Sequence, residues 1–300
     1  MPTDNCLVCT TPLRAGIQEW HRGCTQCGYE KASLQPTINA PESQAAIDEA
    51  ARAQALASLR LENFKELLAE IDECQPPGPK LLDVGCAHGW FLDLASKTFD
   101  IVGLEPDQRV GLEAAKPGRP IRLGYFPDAL QPDEKFDVIV FNDVLEHIPD
   151  LEGVLAECHL RLNAKGLLVL NLPSSQGVFY RVARLLNRLG LPGPFERMWQ
   201  VGLPSPHVHY FHLENLATLL KRKGFLVKKT GRLASVHLKG LYTRLAFTND
   251  GQPLMKKLAL YLGICCALPV LRLLPADIMY VVVEPTQPDN GQLVTAATPN

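Results

Sequence analysis

Several features are scarce in this chain of 300 residues. The first twenty positions hold Asp4, Cys6, Cys9 and Glu19 and no apolar run, so no secretory signal peptide is expected. The longest uncharged apolar stretch, Leu258 to Leu271 (LALYLGICCALPVL), has 14 residues and contains Pro269. A helix crossing a bilayer needs ~20, so no transmembrane span is expected. No self-similarity recurs at a period of roughly 20 to 50 residues, which excludes solenoids and propellers. What is present, 46% apolar and 21% charged residues, suits one large or two modest globular domains and excludes a disordered or fibrous chain.

Net charge is also scarce, at −2, but only through cancellation. Residues 1–174 carry 15 Lys and Arg against 26 Asp and Glu, whereas residues 175–260 carry 14 against 3. An acidic front half joined to a basic back half implies that the back half meets something anionic: a phosphorylated substrate, a membrane surface or nucleic acid.

Nine cysteines fit a reduced, cytoplasmic setting better than a disulfide framework, because four of them fall into two CxxC pairs. Cys6 and Cys9 form one pair, and Cys24 and Cys27 the other. Two such turns complete the tetrahedral sulfur shell that zinc prefers, and Gly28 follows the second. Residues 1–41 therefore read as a zinc ribbon. A redox pair is the competing reading. Residues 1–40 balance Arg14, Arg22 and Lys31 against Asp4, Glu19 and Glu30, which argues for a structural or docking ribbon over a polynucleotide reader.

Residues 42–79 read as a helical connector, rich in Ala, Leu and Glu and stopped by PPGP (Pro76 to Pro79), since proline cannot continue a helix. The pattern then alternates. KLLDVG, DIVGLEP, FDVIVFN and GLLVLNLP are short apolar runs of the kind that form buried parallel strands, separated by helix-length segments such as Trp90 to Lys97 and Leu151 to Leu162. That alternation predicts a doubly wound α/β domain. FLVKKTG and IMYVVVE, near residues 225 and 278, add two strand candidates. Basic and apolar inserts occupy 175–212 and 250–276, and the Pro-, Thr- and Gln-rich tail at 285–300 reads as disordered.

The segment LLDVGCAHGWFL (Leu81 to Leu92) is a strand, a glycine loop and a helix start. A dinucleotide site needs GxGxxG so that a pyrophosphate can sit on the helix N-terminus. Here the pattern is DxGxxxG, and Asp83 would repel a pyrophosphate but suits a cationic ligand. Twenty positions after Gly85, Glu105 ends the next strand, where a carboxylate can accept both hydroxyls of a ribose. Together these point to a nucleoside ligand that carries positive charge. A merely structural turn is the alternative.

On these residues the chain resembles the class I S-adenosylmethionine-dependent methyltransferases from about Lys80 to Glu284. The resemblance implies a mostly parallel seven-stranded, Rossmann-like sheet. It assigns Asp83, Gly85, Cys86 and Gly89 to the amino acid end of the cofactor and Glu105 to its ribose. It gives Phe126 to the adenine, with Tyr125 as the alternative, and Asn142 and Asp143 to the methionine moiety. Ala87 stands where many members have glycine. The CxxC pairs and the later HxH narrow the likeness to zinc-ribbon-bearing members, among them deoxysugar C-methyltransferases and enzymes of glycan and natural-product assembly.

Transfer of a methyl group to a hydroxyl or acidic carbon needs a base. In the deoxysugar enzymes a Tyr-His-Glu-His stretch carries it. SPHVHYFH (Ser205 to His212) aligns there, with His209 matching the last histidine and Pro206 and Val208 replacing Tyr and Glu. His209 is the first candidate base and His147 the second. The bland reading is that His207, His209 and His212 cap a helix or bond within the core.

FYRVARLLNRL (Phe179 to Leu189) sets Arg181, Arg184 and Arg188 on one helical face and apolar residues on the other, the pattern of a helix lying in a membrane interface. Its apolar face could instead pack on the sheet as a lid. The leading expectation is a methyltransferase using S-adenosylmethionine, with zinc in its ribbon. It would act on a small-molecule or lipid-linked acceptor, a glycan or isoprenoid-type intermediate, at an anionic membrane surface in the cytoplasm. An RNA methyltransferase and a non-catalytic docking protein are the competitors.

Overall fold

The computed structural model describes residues 4–40, 49–238, 240–248, 252–271 and 273–286. The start of the expected connector and most of the expected disordered tail lie outside the described residues.

The centre is a seven-stranded sheet. Its strands are β4 (Lys80–Val84), β5 (Asp100–Glu105), β6 (Ile121–Leu123), β7 (Phe136–Asn142), β8 (Leu162–Pro173), β10 (Phe225–Leu233) and β11 (Ile278–Pro285), in the order β10-β11-β8-β7-β4-β5-β6. β11 runs opposite to the other six strands. Central strands need apolar side chains on both faces, which is why β7 and β8 read as continuous hydrophobic runs; Val138 to Phe141 and Leu167 to Leu170 are all fully buried. Helices cover both faces, so the α/β, doubly wound, mostly parallel expectation holds.

The order of the strands sets the site. It reverses between β4 and β7, and β4, β5 and β7 all end on the same edge, where an open α/β sheet offers its crevice. Asp107 starts the helix Gln108–Ala114 by accepting from the backbone N–H of Arg109 and Val110. The long helix Glu49–Glu73 ends just before the PPGP stop. It packs Phe64, Leu67 and Ile71 against the sheet and points Arg60 at the carboxyl edge.

The ribbon is not a separate body. Its strands β1 (Arg14–Ala15), β2 (His21–Gly23) and β3 (Glu30–Ala32) take a fourth, β9 (His209–Tyr210), from the insert after β8. Glu30 sits in the seam, almost fully buried, accepting from Tyr180 Oη at 2.7 Å and Arg184 Nη1 at 2.9 Å and facing His21 Nε2 at 2.6 Å. Burial opposes its charge, but the hydrogen bond to His21 and the Arg184 guanidinium outweigh that and hold its carboxyl below the usual range.

The helix Val178–Arg188 departs from the lid reading. Tyr180 and Ala183 are its buried residues, and Arg184 turns in towards Glu30. The apolar stripe of Phe179, Val182, Leu185 and Leu189 lies on the opposite side, 42–69% exposed, so it is not a lid packed on the sheet. The backbone N–H of Val178 bonds the carbonyl of Pro275, which joins this helix to the segment following the helix Leu254–Leu271. Leu254, Met255, Leu258 and Leu262 on that helix are exposed as well. Among the described residues no helix is long and apolar enough to cross a membrane.

Candidate functional site

A cavity of about 530 Å³ opens at the carboxyl edge of β4, β5 and β7, within the ~300–1,000 Å³ usual for ligand pockets. One end is built by the glycine loop and β5. Gly85 takes φ +71°, and a Cβ there would stand 2.6 Å from Val144, so the turn needs glycine for both conformation and space. Ala87 also adopts a left-handed φ of +45°, which accounts for the preference for glycine that the resemblance implies there. The Ala87 N–H donates to Glu105 Oε2, and the Asp107 N–H to Oε1, each at 2.8 Å. Burial raises the Glu105 carboxyl above its ordinary range, against the pull of these two bonds. Glu105 is thereby aimed and held beside Phe126, which lies edge-on to Phe141 with ring centres 5.7 Å apart. Tyr125 is more than half exposed at the same rim.

Behind the loop lies a second space of about 30 Å³, bordered by Asp83, Asn142 and Arg60 among others. Asp83 is 1% exposed, and Asn142 Nδ2 reaches its Oδ1 at 3.4 Å. Burial pushes the Asp83 carboxyl up to about 8. Asn142 Oδ1 is buried with no hydrogen-bond partner. A buried acid and an unused acceptor side by side fit a cationic amine, which would supply the missing donors and favour the carboxylate.

The other end of the cavity is lined by Asp143, Glu146, His147 and His207. Asp143 holds φ +53° at the end of β7, with Arg60 Nη2 3.9 Å from its carboxylate. His147 Nδ1 lies 3.0 Å from the Pro206 carbonyl. Because a carbonyl can only accept, Nδ1 carries the proton and Nε2 the lone pair. That Nε2 and the His207 Nε2 stand 4.0 and 3.9 Å from Glu146 Oε1, and the two rings are 4.7 Å apart. Gln200 meets His207 Nε2 at 2.8 Å. The segment after the ribbon crosses the opening: Thr37 N–H bonds the Pro204 carbonyl, and Asn39 Nδ2 the Pro106 carbonyl.

Three sequence expectations need correction. His209 does not face the cavity. It is 1% exposed inside the ribbon seam, where Nε2–H donates to the Ile148 carbonyl at 3.0 Å and Nδ1 accepts from Tyr29 Oη at 2.5 Å. Both nitrogens are used, and burial pushes its pKa down to about 4, so it is a neutral core histidine and no base. The Cys86 thiol borders the small space but is packed over Gly103 and Leu92 in the core, and burial drives its pKa upwards. Gly89 reaches neither space; a Cβ there would meet the Arg119 guanidinium at 2.8 Å. Its role is packing at the helix start.

Sequence reasoning gave His207 only the structural role and overlooked Arg60 and Gln200. His207 gave no signal in the sequence: its spacing of two from His209 would place both on one face of a strand, but β9 begins at His209 and leaves His207 in the preceding loop, where it lines the cavity.

The four ribbon cysteines form a cluster with all sulfurs within 4.8 Å of one another, Cys6 to Cys27 and Cys9 to Cys24 both at 3.4 Å, and none is in a disulfide. Zn–S bonds of ~2.3 Å at tetrahedral angles place sulfurs ~3.8 Å apart, so the donor set fits zinc.

The fold and the crevice define an α/β protein built to hold a nucleoside. More specifically, residues 50–230 match the model of a family described as a methyltransferase domain, more than half of the chain, and the chain belongs to that family. A ubiquinone biosynthesis O-methyltransferase from Paramagnetospirillum magneticum is 34% identical over 98 residues, 31% of this chain and 39% of that one. One of the same name from Bradyrhizobium diazoefficiens is 28% identical over 101 residues, 31% of this chain and 40% of that protein. The chain therefore spans only about two fifths of the length of these curated relatives. Among solved structures, the complex between the Haloferax volcanii Trm112 methyltransferase activator and its methyltransferase shares the fold, with a TM-score of 0.53 at 13% identity, over 85% of this chain and 100% of that one.

Proposed function

We propose that this protein transfers a methyl group from S-adenosylmethionine to an oxygen of a small-molecule or lipid-linked acceptor, a glycan or isoprenoid-type intermediate. The observation that carries this reading is that one cavity runs from Glu105 to the Glu146, His147 and His207 cluster, so cofactor and acceptor ends share a space. The names of the O-methyltransferase relatives support oxygen as the accepting atom.

When bound, the cofactor supplies a methyl group already activated on a sulfonium. The chain's own residues do the rest. Glu105 would accept from the ribose hydroxyls, Phe126 would cover the base, and Asp83 with Asn142 and Asp143 would hold the methionine end. A fixed pocket of this kind lowers the barrier chiefly by orientation. An acceptor hydroxyl must also lose its proton, and the cluster at the far end stands where that proton leaves.

Zinc bound by Cys6, Cys9, Cys24 and Cys27 would lock the ribbon, and through β9 it would fix the loop that carries His207. The exposed apolar stripe of Val178–Arg188, flanked by Arg181 and Arg188 and tied through Pro275 to the segment that follows the exposed helix Leu254–Leu271, supports seating on an anionic membrane at its cytoplasmic face. Such a seat would bring a lipid-linked acceptor to the cavity.

Incubation with methyl-labelled S-adenosylmethionine and cell extract, then separation into lipid, soluble and RNA fractions, tests the reading. Label is expected in the lipid or soluble fraction. Label confined to RNA overturns it.

A further inference from the structure

We propose that Glu146, His147 and His207 bind a divalent transition-metal ion at the acceptor end of the cavity, a second metal site distinct from the four cysteines. The inference rests on the proposed function for what the ion does, but not for whether it binds.

Four observations meet here. The three residues offer ligand atoms that all lie within 4.8 Å of one another, and they line the cavity. Two imidazoles and one carboxylate make a donor set that suits zinc, manganese, iron or cobalt and leaves positions open for substrate. Glu146 is 1% exposed, and its Oε2 is a buried acceptor with no hydrogen-bond partner. A carboxylate oxygen in that state is destabilising unless something charged or hydrogen-bearing meets it. Lastly, His147 is oriented as metal-binding histidines are: Nδ1–H is tied to a backbone carbonyl, which fixes the tautomer and turns the Nε2 lone pair inward.

The distances agree with this reading. Bonds of ~2.1 Å at tetrahedral angles need ligand atoms ~3.4 Å apart, and both imidazole Nε2 atoms stand within 4.0 Å of Glu146 Oε1. Closing the site moves each imidazole about half an ångström towards Glu146 Oε1, draws the two imidazoles together from within 4.8 Å and displaces Gln200 from His207 Nε2, changes within the reach of side-chain torsions.

The expected substrate class follows. The open positions face the cavity, so the ion would take one or two neighbouring oxygens of the acceptor, as in a vicinal dihydroxy or hydroxy-carbonyl group. Coordination lowers the pKa of a bound hydroxyl, so its proton passes to water at the cavity mouth and the oxygen is left as the nucleophile. No free side-chain base is then required, which agrees with the withdrawal of His209 into the ribbon seam.

The test counts metal on the full chain after equilibrium dialysis against zinc, for the wild type, Glu146→Gln, His147→Gln and His207→Gln. Two ions per wild-type chain and one per variant are expected, with cofactor binding by calorimetry unchanged within about threefold in the variants. One ion per wild-type chain, or two retained in every variant, overturns the site. A cobalt titration of the wild type keeps the question open to refutation should a variant misfold. A second equivalent must bind without the sulfur-to-metal charge-transfer band that the cysteine site gives, and failure to see it overturns the proposal. If the metal count holds while no methyl transfer is found in any fraction, it is the proposed function that fails and not the site.

Discussion

The Tyr29 hydroxyl donates to His209 Nδ1 at 2.5 Å, and the far side of the same ring donates to the Ile148 carbonyl. One imidazole thus pins the ribbon to the turn that carries Glu146 and His147. Strand β9 extends the tie, since Lys31 pairs with His209 and Glu30 with Tyr210. The histidine that sequence alignment offers as a base is used instead to connect two sheets.

Tyr29→Phe leaves His209 Nδ1 buried without a donor and should cost about 1–3 kcal/mol in denaturant unfolding, with cofactor affinity retained. The folded pKa of His209 lies at about 4, below its unfolded 6.5. The unfolded chain therefore binds its proton first as pH falls, and stability present above 6.5 should drain away towards pH 4, by on the order of 3 kcal/mol. A His209→Asn variant should show a flatter pH profile over that window; an unaltered profile would contradict the assignment.

Asp83, raised to about 8 by burial, should be largely protonated at neutral pH before ligand binds. A cationic amine bound beside it favours the carboxylate, so binding of S-adenosylmethionine at pH 7 should release about one proton. Calorimetry in buffers of different ionisation enthalpy measures this directly. Asp83→Asn should abolish the release and weaken binding by more than about tenfold, or 1.4 kcal/mol. In the free protein the sign is opposite to that of a salt-bridged acid: the unfolded carboxyl loses its proton near 3.8, so stability should fall as pH rises from there to about 8.

Removing metal from the four-cysteine cluster should loosen more than the ribbon. His212 Nε2 and Asn215 Nδ2 both meet the Cys27 carbonyl, at 3.0 and 3.2 Å, and Arg222 Nη1 donates to the carbonyls of Leu7 and Val8. Chelation, or Cys24→Ser, should lower the melting temperature by on the order of 10 °C, and hydrogen exchange should rise at residues 207–212 as well as 6–32. Exchange confined to the ribbon would show that the two sheets are independent.

Seating on membrane should depend on the outward apolar stripe. The wild type should sediment with anionic vesicles and less with neutral ones, and Leu185→Asp with Leu189→Asp should abolish it while leaving the melting temperature within about 2 °C, because both side chains are more than half exposed. Equal absence from both pellets in the wild type would refute the seat.

What the sequence determined by itself is the part governed by local pattern. Period-two and continuous apolar runs marked β4, β5, β7, β8, β10 and β11, PPGP marked the end of the long helix, and two CxxC turns marked a four-cysteine ribbon. The glycine loop and Glu105 were legible for the same reason: a tight turn and a strand end lie close in sequence to the residues they position. The tertiary structure alone decided which histidine lines the cavity. His207 and His209 are two residues apart, and local sequence assigns neither; β9 pairing with β3, from nearly 180 residues away, takes His209 and releases His207. Arg60 was invisible for the same reason, since its place at the cavity depends on how a distant helix packs against the sheet. The outward turn of the Val178–Arg188 stripe depended on Glu30, whose buried carboxylate draws Tyr180 and Arg184 inward and leaves the apolar side of the helix to face out.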